Sequence, residues 1–156
     1  MINISIPKNI YKKKLTDFMF NAGFVDKEGK PSWQVENKQE LPVEIASVSD
    51  KYKGCFIVLK FLPSPIEPFS IGSMGHNQMY LEFQIWLYTP KDIGDTKVEL
   101  FTNELYNEFE LGSRLFDDDN NSIRLTTFTP YPSQTEENYF ITPMVVGGES
   151  YFRRSV

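Results

Sequence analysis

Along Tyr80–Tyr88 the chain alternates in its first half: Leu81, Phe83 and Ile85 fall on one side, and Tyr80, Glu82, Gln84 and Trp86 on the other. A period of two is the mark of a strand with one buried face, and its aromatic and branched residues suit a pleated surface. Thr89-Pro90-Lys91-Asp92-Ile93-Gly94-Asp95 then predicts a turn, because Pro90 has no ladder hydrogen to give and Gly94 relaxes the backbone. After it, Val98, Phe101, Leu105 and Phe109 recur at spacings of three and four, so they stack on one face of a helix. Asp95 or Thr96 can cap that helix, and Thr96 with Glu99 fits a capping box.

A second helix is predicted near the start. Pro7 suits a first turn, Ser5 is a candidate cap, and Ile10, Tyr11, Leu15, Phe18, Met19 and Ala22 form an apolar stripe that Gly23 stops. Lys12, Lys13 and Lys14 read as a solvated face. From Asp26 to Pro42 the chain is polar, with Gly29 and Pro31, and predicts a surface loop. Trp33 stands out there, as a residue that either packs back onto the core or anchors a partner.

Val43–Val48 predicts a short strand and Gly54–Leu62 a longer one, whose run Cys55–Leu59 implies burial on both faces or a central position in the sheet. Pro63, Pro65 and Pro68, then Gly72-Ser73-Met74-Gly75-His76-Asn77, predict a long loop over residues 63–79. Asp117-Asp118-Asp119-Asn120-Asn121-Ser122 is a polar turn, Ile123–Thr129 a strand interrupted by Pro130-Tyr131-Pro132-Ser133, and Glu137–Val146 a last strand ended by Gly147-Gly148. Residues 149–156 predict a short tail carrying Arg153 and Arg154. The sum is an α+β domain, a largely antiparallel β-sheet packed by two main α-helices.

The ordered run from about Gly54 to Phe109 resembles the tail terminators of long-tailed phages. It comprises a strand ending in Phe61-Leu62-Pro63-Ser64-Pro65, a segment with Ile71-Gly72-Ser73-Met74-Gly75, the strand Phe83–Tyr88, the turn through Asp95, and a helix with Leu100, Leu105 and Phe109. The insert around Gly29 to Leu41 departs from the compact pattern of that family. The resemblance implies a single tail-terminator-like domain over residues 1–156. It also implies a structural virion protein that caps the tail tube as a ring, a hexamer, ends tube polymerisation and offers a surface for head attachment.

The partners it implies are other copies of the chain, the tail tube protein, a head-completion or neck protein, and DNA passing through the lumen without sequence-specific binding. The protein would be assembled in the host cytoplasm and end at the head-proximal end of the tail. Candidate subunit or tube contacts are Trp33, Ile71, Met74, His76, Asp92 and Asp95; candidate acidic lumen or rim residues are Asp117, Asp118 and Asp119. The alternatives are a head-tail connector or head-completion protein, and a small non-structural phage protein.

Composition narrows the chemistry. One domain of 156 residues, 40% hydrophobic and 15% aromatic, holds enough apolar surface for a core. The formal net charge of −5, with no basic run beyond Lys12–Lys14, does not suit a grip on phosphate, and no stretch is apolar enough to span a membrane. The single cysteine, Cys55, lies in an apolar run and predicts a buried thiol. His76 is the one histidine, and Gly72-Ser73-Met74-Gly75 lacks the strained serine elbow of hydrolases, so no catalytic set is expected. A zinc site lacks ligands, and a calcium loop starting at Asp117 would carry Ser122 and Phe128 where glycine and glutamate are needed. No phosphate-binding glycine loop occurs, and the expectation is a protein without metal or cofactor.

Overall fold

The computed structural model describes residues 5–35, 42–68, 76–91, 96–119, 121–136 and 138–153. Two main helices, α1 (Ser5–Ala22) and α3 (Thr96–Glu108), and a four-residue helix α2 (Pro42–Ile45) accompany seven strands. The strands are β1 (Trp33–Val35), β2 (Phe56–Pro68), β3 (His76–Pro90), β4 (Arg114–Phe116), β5 (Ser122–Pro130), β6 (Gln134–Glu136) and β7 (Tyr139–Arg153). They form one sheet in the order β1-β2-β3-β7-β5-β4, with β6 paired to the start of β7. All pairings are antiparallel except β1 with β2. The α+β fold expected from the periodicities is present. Among the described residues no helix is long and apolar enough to cross a membrane.

The alternation along β3 sets the layers. Leu81, Phe83, Ile85 and Leu87 are fully buried, facing α1 and α3, and they join Ile57 and Leu59 of β2, Met144 and Val146 of β7, and Ile123 and Leu125 of β5 in one core. The helices add Tyr11, Leu15 and Phe18 from α1 and Phe101 and Leu105 from α3. Tyr11 stacks on Phe83 with centroids 3.8 Å apart, and Phe18 meets Phe101 edge-on at 6.0 Å. Each fully buried large apolar side chain contributes roughly 1.5–3 kcal/mol of transfer free energy. Aromatic contacts of this geometry add to that, so these rings carry the fold.

Gly23 ends α1 as expected, with φ of 72°. Its amide donates to Phe20 O at 3.2 Å and the Phe24 amide to Met19 O at 2.8 Å, the paired bonds of a left-handed helix stop. The expected helix after the Pro90 turn is α3, with Phe101, Leu105 and the following Phe109 buried. Cys55 is buried, and burial pushes its thiol up to about 12. In the run it opens, Phe56 is covered behind the sheet, where it stacks on Tyr88 at 4.6 Å, while Val58 on that same face is half-buried.

Four expectations are corrected. Residues 63–79 are not one long loop: β2 continues to Pro68 and β3 starts at His76, paired from Pro68↔Asn77 inwards with a bulge between Pro63 and Ile66. Val43–Val48 is not a strand, since Pro42–Ile45 is helical and Ser47 then bonds to the loop before β2 through its backbone, Ser47 N to Cys55 O at 2.8 Å. Pro42 has the dihedral a helical first turn requires, and six residues with four apolar ones among them cannot by themselves distinguish strand from helix. The surface loop from Asp26 holds structure: Asp26 accepts the Glu28 and Lys30 amides at 2.9 and 3.0 Å, and Trp33 opens β1.

The fourth correction concerns Gly147-Gly148, which does not end the last strand. β7 runs through both glycines to Arg153, so most of the predicted tail is sheet. The glycines serve close approach. A Cβ on Gly148 would lie 2.8 Å from Ile123 Cγ2 and 3.0 Å from the Arg124 carbonyl oxygen, and one on Gly147 would collide with the Thr127 hydroxyl and Tyr80. Pro143, also inside β7, fits for a related reason. Its carbonyl accepts from the Tyr131 amide at 2.9 Å, so its missing N–H lies on that same side, in the gap between the β5 and β6 pairings.

Candidate interaction surface

The helices cover one face of the sheet and leave the other to the second half of each alternation. On β3 that half is Tyr80, Glu82, Gln84 and Trp86, partly or largely exposed. Across β7 and β5, and against the turn at Tyr131–Gln134, they bound a groove of about 580 Å³. Its shape follows from the backbone: Gly147 has no side chain, so the Tyr80 ring lies over it, with Tyr80 Oη 3.4 Å from Thr127 Oγ1.

The polar groups here are largely occupied with one another. Trp86 Nε1 donates to Gln84 Oε1 at 3.1 Å, and the Ser133 and Thr142 hydroxyls bond at 2.7 Å. The Lys60 ammonium sits 3.8 Å from the Trp86 ring centroid, a cation–π contact. Glu82 is the one carboxylate lining the groove, with neither histidine nor cysteine beside it. Among the described residues the lining supplies no nucleophile paired with a base. It is a half-apolar surface on the open side of the sheet.

The residues singled out in the sequence are not brought together. Trp33 lies on β1 at one margin of the sheet, half-buried against the core, with Lys12 Nζ 5.7 Å from its ring centroid. It packs back onto the core. Asp117–Asp119 lie at the opposite margin, in the turn between β4 and β5. Asp117 Oδ1 accepts the amides of Asp119 and Asn121 at 2.9 Å, and Oδ2 accepts from Asn121 Nδ2. Partial burial works against the charge, but those bonds outweigh it and hold the carboxyl below its ordinary range.

His76 is the first residue of β3, in register with Arg153. Ile71, Met74, Asp92 and Asp95 lie outside the described residues. Among the described residues no three histidine, cysteine, aspartate or glutamate side chains gather as a metal site. The sheet face itself was overlooked in the sequence, although its signal was there in the polar half of the β3 alternation, interrupted by Tyr80 and Trp86.

No protein-family model and no curated protein matches this chain. A solved structure that carries no functional name superposes with a TM-score of 0.62 over 96% of this chain and 99% of its own, at 13% identity. At that identity the likeness shows the fold, a mixed α+β architecture of two helices on a curled sheet.

Proposed function

We propose that this chain is a tail terminator of a long-tailed phage, a ring-forming structural protein that caps the tail tube, ends its growth and presents a surface to the head-completion proteins. The reading rests on the ordered resemblance from Gly54 to Phe109. The observation that supports it is a sheet with one face closed by helices and the other left as a preformed contact surface around Tyr80, Gln84 and Trp86. A head-to-tail interface whose rotation closes makes a ring, and a ring that matches the tube on one face alone stops polymerisation. Among the described residues no acid–base pair is aimed into this surface, and its half-apolar lining supports an assembly role.

Electron microscopy of particles from cells in which this gene carries a stop codon tests the proposal. Over-long, headless tubes are the expected result. Tails of normal length lying beside full heads would move the protein to the head side of the joint, and intact infectious virions would overturn both readings.

A further inference from the structure

Three prolines within one strand need an explanation, since each lacks the amide hydrogen a ladder uses. Pairing geometry gives the direction each one faces. The Ile57 amide donates to Ser32 O at 2.9 Å, on the β1 side, and a residue's N–H and C=O point to the same side of its strand. Alternation therefore turns Leu59, Phe61 and Pro63 towards β1, and Lys60 and Leu62 towards β3. The bulge between Pro63 and Ile66 inserts one extra residue opposite Leu81 and Met79. Beyond it Ile66 and Pro68 face outwards again, while Glu67 faces β3. Pro65 lies in the bulge itself. Neither Pro63 nor Pro68 takes a hydrogen bond from the β3 ladder.

On the outward side, β1 pairs with Ile57 to Leu59, and beyond Leu59 the described neighbour of β2 is β3. The remaining short strands β1, β4 and β6 have three residues each. Among the described residues the outer half of β2 is thus a long edge, the kind of surface on which a strand from another molecule adds. We propose that Pro63, Pro65 and Pro68 block that edge against strand addition by a second copy of this chain. Of the outward positions past Leu59, Phe61 and Ile66 keep a donor and Pro63 and Pro68 have none, so an incoming strand meets a ladder with every second rung missing. The bulge at Pro65 further throws it out of register. The inference is independent of the ring reading: it says where copies do not join, whatever the protein assembles into.

Two experiments on the full-length chain test it. Amide hydrogen exchange followed by NMR should show Phe61 and Ile66 exchanging about tenfold or more faster than Lys60, Leu62 and Glu67. Equal protection of Phe61 and Ile66 would mean the edge is covered, and would overturn the proposal. The variant Pro63→Thr/Pro68→Thr should restore both missing donors and form species larger than the parent in sedimentation velocity, growing with concentration, while Pro65→Thr alone should not. A double variant with the parent's sedimentation and circular dichroism would also overturn it. Pro68→Thr, at the strand's end, keeps the test decisive if the double variant does not fold, and should give the same change in weaker form.

Discussion

The two faces of this sheet are written by alternate residues of the same strands, yet they are held together differently. Phe83 and Trp86 stand three positions apart on β3. Phe83 is fully buried, stacked on Tyr11 and tilted against Phe61 at 5.3 Å, within a core where shape and dispersion decide the energy. Trp86 is half-exposed, held by Gln84 beneath and the Lys60 ammonium above. One face cannot lose volume without cost, while the other can change its side chains and keep the fold. That is the division expected of a scaffold with an interaction surface on its back.

The largest test of this contrast is a pair of truncations. Phe83→Ala should cost about 3–5 kcal/mol in chemical denaturation, the range for a buried phenylalanine. Trp86→Ala should cost about 1 kcal/mol, since it removes a partly exposed ring and one cation–π contact. Similar losses would break the comparison, and a larger loss at Trp86 would make the open face the structural one.

A smaller effect separates the adjacent glycines. An added Cβ at Gly148 meets a backbone carbonyl and a β-branched side chain on the helix-covered side, so Gly148→Ala should destabilise by about 1–3 kcal/mol through overpacking. At Gly147 the obstacles are the ends of the Thr127 and Tyr80 side chains, which can turn away into the groove. Gly147→Ala should cost less in denaturation and show itself as a more exposed Tyr80. If Gly147 proved the costlier site, the groove would be packed as tightly as the core.

The mildest test uses pH. Cys55 is raised from 9.0 to about 12 by burial, with the Lys97 charge pulling the other way. Tyr52 is raised by burial and by its 2.6 Å bond to Glu104, and Tyr11 by burial alone. Groups raised in the folded state contribute stability that is complete below their unfolded values and lost as pH climbs through the folded ones. The denaturation midpoint should therefore stay level with respect to these groups up to about pH 9 and fall between pH 9 and 12. Cys55→Ala should remove the earliest part of that fall, and an unchanged pH profile in the variant would show the thiol to be open to water.

Much of this architecture was legible in the chain. The stripe Ile10–Ala22 with Gly23 and the stripe Val98–Phe109 located both helices, and the β3 alternation separated buried from open face residue by residue. Two of the failures fell at proline and glycine. Pro63, Pro65 and Pro68 looked like a loop, and Gly147-Gly148 like the end of a strand.

The sequence by itself determined which residues alternate, which recur at helical spacing and where the fold would place its core, because hydrophobic period is a local property of the chain. Only the tertiary structure decided that β2 and β7 run on. A missing amide hydrogen is harmless where it points away from a paired neighbour, and a missing Cβ is needed where another strand's side chain crosses the backbone. Both depend on what lies beside the strand, and in this chain those neighbours come from distant segments: β7 lies next to β3 and β5, and β1, among the described residues, pairs with the first part of β2. The candidate surface has the same origin, since Trp86, Thr127 and Ser133 share a groove only after the sheet has curled.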